Sequence, residues 1–269
     1  MKTALIAYSR KGQLTALKIA ALLKEDNVSA FCPERILDEG FQPIARPFNS
    51  FYGELFNSCD VLIFVGSTGI AVREIAPHVK SKTTDPAVIS IDELGRFVIA
   101  LLSGHIGGAN AFALKLAEAL GSTPVITTAT DINGRFSVDA WAARQGLVID
   151  NMKICKDISA LILEKDLPLK SALPIKGSLP SGVFEGEEGE LGIYIGTDIQ
   201  APFKETLRLV PKTLSVGIGC RKGISEELIN EAVNKVFEEN HLDKRAIKGI
   251  YSIDIKSEEA GLLAFCKGL

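Results

Sequence analysis

The sequence predicts an α/β protein: an N-terminal doubly wound, mostly parallel sheet, then a small middle α+β segment and a C-terminal α/β domain. Three observations support this prediction. Near-continuous apolar runs of strand length recur in the first half of the chain, a turn rich in Gly or Ser follows several of them, and an amphipathic helical pattern follows each turn. Buried strands that alternate with helices are typical of parallel sheets covered on both faces.

The predicted elements follow one another in a repeated order. The run TALIAY (3–8) leads through the turn SRKG into a helix with leucines at helical spacing. A second strand is predicted over 61–65, with a loop over 66–69 and a helix over 70–79. The third unit, RFVIALLSGHIGGANAFALKLAEALG, ends its helix at Gly121, a residue type that favours the position after a helix. AVISID and TPVITTATD are predicted as further strands.

The chain is predicted to contain three domains, 1–149, 150–206 and 207–269. The middle segment is rich in Pro and Gly, and its acidic stretch EGEEGE is interpreted as a solvated turn. The C-terminal segment is predicted to hold a strand over 214–218 and a helix with Ser225 as its N-cap. Because a domain of about 60 residues is marginally stable, we expect this C-terminal domain to be only part of a longer one.

Composition excludes several classes of protein. Hydrophobic residues make up 46% and charged residues 23%, as in a soluble globular protein. The net charge of -3 argues against a nucleic-acid-binding surface. No signal peptide or membrane-spanning run is recognised, so a cytoplasmic location is expected. The five cysteines form no CxxC pair, and we expect them to be reduced thiols.

Three loops are candidates for a ligand site. The loop over 66–69, the loop around Gly104 and the stretch 127–131 each follow a predicted strand. In parallel sheets the loops at the carboxyl ends of the strands line the ligand crevice. The sequence therefore predicts that these three loops meet at one edge of the sheet.

The loop GSTGIAV (66–72) offers hydroxyl groups and backbone N–H groups at the start of a helix. Ser67 and Thr68 supply the hydroxyls, and such a helix start favours a carboxylate or phosphate. The loop lacks the Lys of a phosphate-binding Walker loop and the full GxGxxG pattern. Two interpretations stay open, a ligand contact and a simple N-cap.

The loop SGHIGGAN (103–110) holds a candidate general base. His105 could transfer a proton at neutral pH, and the N–H groups of Gly107 and Gly108 could stabilise an oxyanion. The alternative is a structural histidine at a strand-to-helix turn. His78 and His241 have no clustered partners in the sequence, so no metal bound by the protein is predicted.

The C-terminal turn GIGCRKG (217–223) contains two basic residues. Arg221 and Lys222 could pair with carboxylates of a ligand, and a solvated basic turn is the alternative. The spacing of its glycines is only weakly similar to that of a dinucleotide-binding loop.

Three blocks of the sequence, taken in order, resemble the CbiG family of anaerobic cobalamin biosynthesis, the cobalt-precorrin-5A hydrolases. They are GSTGIAVREIAPHVKSKTTDPAV, ALLSGHIGGANAFALKLAEALGSTPVITTATD and SVGIGCRKGIS with SIDIKSEE. The resemblance covers most of the chain and is weak over 150–206. The third block belongs to a module that also occurs as the separate protein CobE of the aerobic route.

The resemblance implies a hydrolase that opens the δ-lactone of cobalt-precorrin-5A and expels a two-carbon fragment as acetaldehyde, giving cobalt-precorrin-5B. It also implies a cobalt-corrinoid substrate that carries the cobalt itself, so no cofactor of the protein's own is expected. Other enzymes of the pathway are candidate partners. A non-catalytic carrier of a corrinoid intermediate and a nucleotide-dependent enzyme are the alternative functions.

Our hypothesis for the site assigns catalysis to two residues. His105 acts as general base on water, and Asp131 or His105 returns the proton. The residues predicted to bind substrate lie in the glycine-rich loops, in the stretch from 127 and in the C-terminal basic turn: Gly66, Ser67, Thr68, Gly69, Ser103, Gly104, Gly107, Gly108, Asn110, Thr127, Thr128, Arg221 and Lys222.

Overall fold

The computed structural model describes residues 1–23 and 27–268, which form two compact units, Met1–Ile132 and Asn133–Leu269. Each unit has hydrophobic clusters of its own. Both units combine helices with sheets whose strands are mostly parallel. The predicted α/β class is therefore confirmed.

The first unit contains one sheet with helices packed on it. Its strands in the described residues are β1 (Lys2–Ala7), β2 (Asn27–Cys32), β3 (Gln42–Pro43), β4 (Val61–Val65), β5 (Ala87–Ile91), β6 (Phe97–Leu102) and β7 (Thr123–Val125). Its helices there are α1 (Arg10–Leu22), α2 (Phe48–Ser58), α3 (Thr68–Ile75), α4 (Ala109–Leu120) and α5 (Ala129–Ile132). A 3-10 turn over Ala76–His78 follows α3, where the sequence predicted that the helix would continue to residue 79.

The strand order in this sheet is β3-β2-β1-β4-β5-β6-β7. The strands from β3 to β5 pair in parallel, whereas β6 runs antiparallel to β5, with Ile91 opposite Val98. The last strand, β7, is parallel to β6. The carboxyl ends of β6 and β7 therefore lie at the edge where β4 and β5 begin.

A short hairpin reverses the direction of the chain between β5 and β6. The connection over 92–96 is far too short for a parallel crossover, which needs a dozen or more residues. One carboxylate oxygen of Asp92 accepts the N–H groups of Arg96 and Phe97, at 2.7 and 2.8 Å. These bonds close the turn and fix the antiparallel pairing.

The central strands are buried on both faces. Along β4, the side chains of Val61, Ile63 and Val65 join the core beneath α1 and α4, whereas Leu62 and Phe64 join the core beneath α2 and α3. Both neighbouring layers are apolar, so the strand has no polar face. This explains the continuous apolar run from which the strand over 61–65 was predicted, and that prediction is confirmed.

The second unit contains a five-stranded sheet and a two-stranded sheet. The larger sheet has the order β10-β9-β11-β12-β8 and is parallel except for β8. Its strands are β8 (Leu147–Ile149), β9 (Leu167–Ser171), β10 (Val183–Glu185), β11 (Leu191–Ile195) and β12 (Glu205–Pro211), with helices α6 (Val138–Gln145) and α7 (Met152–Leu161). The parallel pair β13 (Leu214–Gly217) and β14 (Ile247–Tyr251) packs with α8 (Glu226–Glu239) and α9 (Ala260–Lys267).

Two local predictions of helix ends are confirmed. Gly121 ends α4 in the left-handed conformation, at φ 68°, and the Ser225 hydroxyl accepts the Leu228 N–H at the start of α8. The domain boundaries after residues 149 and 206 stay predictions. The pairing of β8 with β12 joins residues 147–149, predicted to end the first domain, to a sheet of the second unit.

Candidate functional site

A tight turn joins β6 to α4. At Ser103 the backbone takes φ 56°, a left-handed conformation that residues other than Gly rarely adopt. The Ser103 hydroxyl donates to the Asp85 carbonyl at 3.0 Å, and the Ser103 carbonyl accepts the Ala109 N–H at 3.1 Å. The Gly104 carbonyl accepts the Asn110 N–H at 3.0 Å. These bonds fix the loop to the start of α4.

A polar cluster lies where this loop meets α5. His105 Nε2 is 3.0 Å from Asp131 Oδ2 and 3.2 Å from Thr130 Oγ1. Asn110 Nδ2 donates to the same Asp131 oxygen and to Thr128 Oγ1, each at 2.8 Å. The structure therefore brings together His105 and Asp131, the two residues predicted to be catalytic. It also links them to Asn110 and Thr128, both predicted to bind substrate.

The residues of this cluster differ in how far they are exposed to solvent. Asn110 and Thr130 are buried. The side chains of His105 and Asp131 keep 17% and 38% of their surface exposed. A group that reacts with a ligand must be accessible, and a group that orients it is best held by packing. The geometry therefore fits a reactive His105–Asp131 pair that Asn110 and Thr130 position.

The contact with Asp131 indicates how His105 could act. An ionised carboxylate only accepts hydrogen bonds, so the His105 Nε2–H donates to Asp131. The lone pair of the neutral ring then lies on Nδ1, the nitrogen that would accept a proton. Asp131 would stabilise the imidazolium that forms, as the carboxylate does in hydrolytic triads.

The two glycines that were predicted to form an oxyanion site differ in the structure. The Gly108 N–H donates to the His105 carbonyl at 3.0 Å, so the prediction that this group is free for a ligand is wrong. The backbone at position 108 takes a left-handed conformation, at φ 79°, which favours glycine there. Gly107 is exposed, and its N–H makes no hydrogen bond within the described part of the chain. A Cβ at Gly107 would overlap the Ser103 Cβ, so the loop requires glycine there.

The loop over 66–69 lies at the opposite edge of the sheet. The Gly66 N–H donates to the Ile91 carbonyl, at the carboxyl end of β5. Thr68 Oγ1 is 2.9 Å from the Oγ of buried Ser90, so this hydroxyl has a partner within the protein. Ser67 precedes α3 as its N-cap residue and is exposed, without a side-chain capping bond. Gly69 lies in the first turn of α3.

The prediction that three loops meet at one edge is therefore wrong. The loop around Gly104 follows β6, which is antiparallel to β4 and β5, and this loop bonds to Asp85 just before β5 begins. Five strand residues separate the two edges, which is about 16 Å at 3.3 Å per residue. Ser67 and Thr68 therefore cannot join His105 around one reacting atom.

The remaining predicted residues lie apart from the cluster. Thr127 is exposed and is the nearest of them in sequence to Asp131. Arg221 and Lys222 lie in an exposed turn of the second unit, where the Gly223 N–H donates to Glu259.

Some residues at the two edges were missed from the sequence. Thr130 contacts His105, but a Thr in the stretch TTATD carries no signal that distinguishes it from its neighbours. Tyr8 and Tyr52 share a hydrogen bond across 44 positions of sequence, and no local pattern predicts such a pair. In the described residues, no three His, Cys, Asp or Glu side chains form a group that could hold a metal ion.

Comparisons with known proteins identify relatives along nearly the whole chain. The profile for the N-terminal domain of cobalamin synthesis protein G matches residues 50–131, and the C-terminal profile matches residues 214–269. A cobalt-precorrin-5A hydrolase from Salmonella typhimurium is 34% identical over 97% of this chain and 77% of its own length. One from Priestia megaterium is 28% identical over 97% of this chain and 76% of its own length.

A solved structure has a similar fold. It is the crystal structure of a homologue of cobalamin biosynthesis protein G from Sulfolobus solfataricus, with a TM-score of 0.52 and 25% sequence identity. The match covers 98% of this chain and 76% of that one. Within the part of the chain that the structure describes, no helix has the length and apolarity needed to cross a membrane.

Proposed function

The chain belongs to the CbiG family of cobalamin-synthesis proteins, and from this premise we propose that it is a hydrolase that acts on cobalt-precorrin-5A. The proposed reaction opens the δ-lactone and breaks a carbon–carbon bond, which releases acetaldehyde and gives cobalt-precorrin-5B. The cobalt arrives in the substrate. A cytoplasmic location and contacts with other pathway enzymes stay predictions.

One observation carries the assignment of the active groups, the 3.0 Å contact between His105 and Asp131. General base catalysis needs a group that titrates near neutral pH, a carboxylate that fixes its tautomer, and access to solvent. The Asp131 carboxylate lies 3.0 Å from His105 Nε2, where it can fix the tautomer, and the His105 side chain keeps part of its surface exposed to solvent. The described chain therefore provides groups suited to hydrolysis at the edge that holds His105.

In the first step, His105 Nδ1 takes a proton from a water molecule. The water oxygen forms a bond to the lactone carbonyl carbon, and the carbonyl electron pair moves to its oxygen. The Gly107 N–H can donate to that oxyanion. When the carbonyl re-forms, the ester C–O bond breaks, and the released alkoxide recovers the proton from His105.

In the second step, the two-carbon fragment leaves. Its new hydroxyl group loses a proton to His105, and the O–H electron pair becomes the C=O bond of acetaldehyde. The bond between the fragment and the ring breaks, and its electron pair passes to the macrocycle. A proton from the imidazolium then neutralises the macrocycle, so that the base returns to its starting state.

The test is acetaldehyde release from cobalt-precorrin-5A, followed with NADH and alcohol dehydrogenase. Wild type should turn over excess substrate, and His105→Ala should slow release roughly 100- to 10,000-fold, the usual contribution of a general base. Lys115→Ala, at an exposed position on α4, is the matched control and should retain the wild-type rate.

Two results would overturn parts of this proposal. Release at the wild-type rate by His105→Ala would remove the base from the mechanism while leaving the reaction in place. Stoichiometric binding of cobalt-precorrin-5A by wild type, without any acceleration of acetaldehyde release, would identify a carrier of the intermediate instead of an enzyme.

A further inference from the structure

A cavity of about 660 Å³ opens at the carboxyl edge of β1 and β2, the edge opposite to His105. Its volume lies within the range of small-molecule sites, which is roughly 300 to 1,000 Å³. Two tyrosines, two arginines and apolar side chains line it. Its lining includes the side chains of Tyr8, Tyr52, Arg35, Arg46, Phe48 and Glu74.

A tyrosine pair forms a polar point in this cavity. The hydroxyls of Tyr8 and Tyr52 are 2.8 Å apart. Burial raises the pKa of both phenols, that of Tyr52 to about 12, and the nearby Glu74 carboxylate adds to both shifts. Both groups are therefore neutral at pH 7, and each carries a proton.

Only one of these two hydroxyl protons takes part in the hydrogen bond between the tyrosines. One hydroxyl donates and the other accepts, so the accepting hydroxyl still has its own O–H to donate. Neither hydroxyl has another hydrogen-bond partner in the described part of the chain. Because both side chains line the cavity, this spare donor is available to an oxygen atom of a ligand there.

Two guanidinium groups lie at the rim. Arg35 and Arg46 are exposed, and neither forms an ion pair with a carboxylate of the described residues. The Arg46 guanidinium lies 5.4 Å from the centre of the Phe48 ring, a stacking contact that orients it. Guanidinium groups bind carboxylates with two parallel hydrogen bonds.

The charges of the residues that line the cavity indicate which class of ligand it can bind. Glu34 and Glu74 also line the cavity, so its net charge is balanced and a small bare anion such as phosphate gains little there. Pro33, Pro43 and Ile44 add apolar surface to the same lining. This combination suits a large apolar ring whose carboxylates are spread around its rim.

We propose that this cavity is a second ligand site, which binds a carboxylate-edged corrinoid away from the His105–Asp131 pair. That the ring is a corrinoid rests on the proposed function, whereas the preference for carboxylates on an apolar ring rests on the cavity itself. A corrinoid held here is separated from the reacting groups by the length of the strands, about 16 Å. The site can thus retain substrate or product without exposing it to the base.

The test uses two corrinoids with the same ring, dicyanocobyrinic acid, whose side chains are carboxylates, and dicyanocobinamide, whose side chains are amides. Calorimetric titration of wild type should show binding of the acid at this site. Arg46→Gln should weaken it roughly tenfold, the loss expected for one charge-assisted hydrogen bond. Arg73→Gln, at an exposed arginine of α3 that does not line the cavity, is the matched control.

The amide compound supplies the second comparison. Arg46→Gln should leave the weaker affinity for dicyanocobinamide unchanged, because no carboxylate is lost from the contact. Tyr52→Phe should weaken both compounds by a similar factor, since carboxylate and amide oxygens both accept the phenol proton. Equal affinity of wild type, Arg46→Gln and Arg35→Gln for the acid would overturn the proposal.

The same preparations separate this inference from the proposed function. His105→Ala should bind dicyanocobyrinic acid at the cavity as wild type does, and loss of that binding would overturn the separateness of the two sites. If wild type shows Arg46-dependent binding but no acetaldehyde release, the hydrolase proposal fails and the binding site stands. If wild type releases acetaldehyde but its affinity for dicyanocobyrinic acid does not depend on Arg46 or Arg35, the hydrolase proposal stands and the second binding site fails.

Discussion

The two edges of the seven-stranded sheet present polar side chains in different arrangements. At the edge holding His105, polar side chains form hydrogen bonds with one another. A single oxygen, Asp131 Oδ2, contacts both His105 and Asn110. At the other edge, the arginines at the rim of the cavity have no carboxylate partners in the described residues, and a tyrosine pair keeps a proton to donate. Groups that are oriented within the protein suit proton transfer, and groups left without a partner suit ligand binding.

The difference arises from one reversal of the chain. Because β6 is antiparallel to β5, the loop around His105 lies at the edge opposite to the carboxyl ends of β1 and β4. The strand order switches direction between β1 and β4. Ligands of doubly wound sheets bind at such a switch point. The hairpin over 92–96 therefore places loops that were predicted to meet at one edge on two opposite edges of the sheet.

After His105 itself, the largest effect at this edge is expected for Asn110. Asn110→Ala should lower kcat roughly 10- to 100-fold, the loss of a hydrogen bond to a charged group, with KM little changed because Asn110 contacts Asp131. Steady-state acetaldehyde release measures both constants, and Asn110→Asp should also shift the pH profile by placing a second carboxylate beside Asp131.

Asn49→Ala, an exposed amide on α2, is the control for this experiment and should retain the wild-type constants. A raised KM with an unchanged kcat would instead show that Asn110 touches the substrate. That result would restore the role predicted from the sequence and would weaken the distinction between oriented and free groups.

A smaller effect compares one glycine at each edge. Gly107→Ala would force its Cβ to within 2.9 Å of the Ser103 carbonyl oxygen, and the loop must shift, at a cost of about 1–3 kcal/mol. Gly69→Ala meets nothing closer than 3.7 Å and favours α3 by up to about 1 kcal/mol. Urea unfolding of both variants should give free-energy changes of opposite sign, and an unchanged free energy of unfolding for Gly107→Ala would contradict the geometry of the His105 loop.

The smallest effect concerns the hairpin that separates the edges. Burial alone would raise the pKa of Asp92, but the hydrogen bonds from Phe97 and Arg96 outweigh it and lower the pKa below its ordinary value. A lowered pKa in the folded state means that the ionised group stabilises the fold above its unfolded pKa of about 3.9. This contribution is lost as pH falls through the folded pKa.

Asp92→Asn should therefore lower the free energy of unfolding at pH 7 by about 1 kcal/mol, and the difference from wild type should shrink as the pH is lowered below 4. Unfolding curves over this pH range measure it. Glu118→Gln, at an exposed position on α4, should follow the wild-type curve. A difference that stays constant through this range would show that the Asp92 charge does not hold the turn.

The sequence predicted much of the fold because its signals are local. The apolar run at 61–65 needs no partner to be recognised, and the C′ glycine at 121 and the N-cap at Ser225 act within one helical turn. The pairing of His105 with Asp131 was also within reach, since both loops follow neighbouring strands of the same direction.

The sequence by itself determined the α/β class, the family and the residues His105 and Asp131 of the first candidate site. Only the tertiary structure decided that the 66–69 loop and the His105 loop lie at opposite edges, that Asn110 supports Asp131, and that Tyr8 meets Tyr52. The physical reason is that helix caps and strand burial depend on neighbours in the chain, whereas strand direction and long-range hydrogen bonds depend on how distant segments pack.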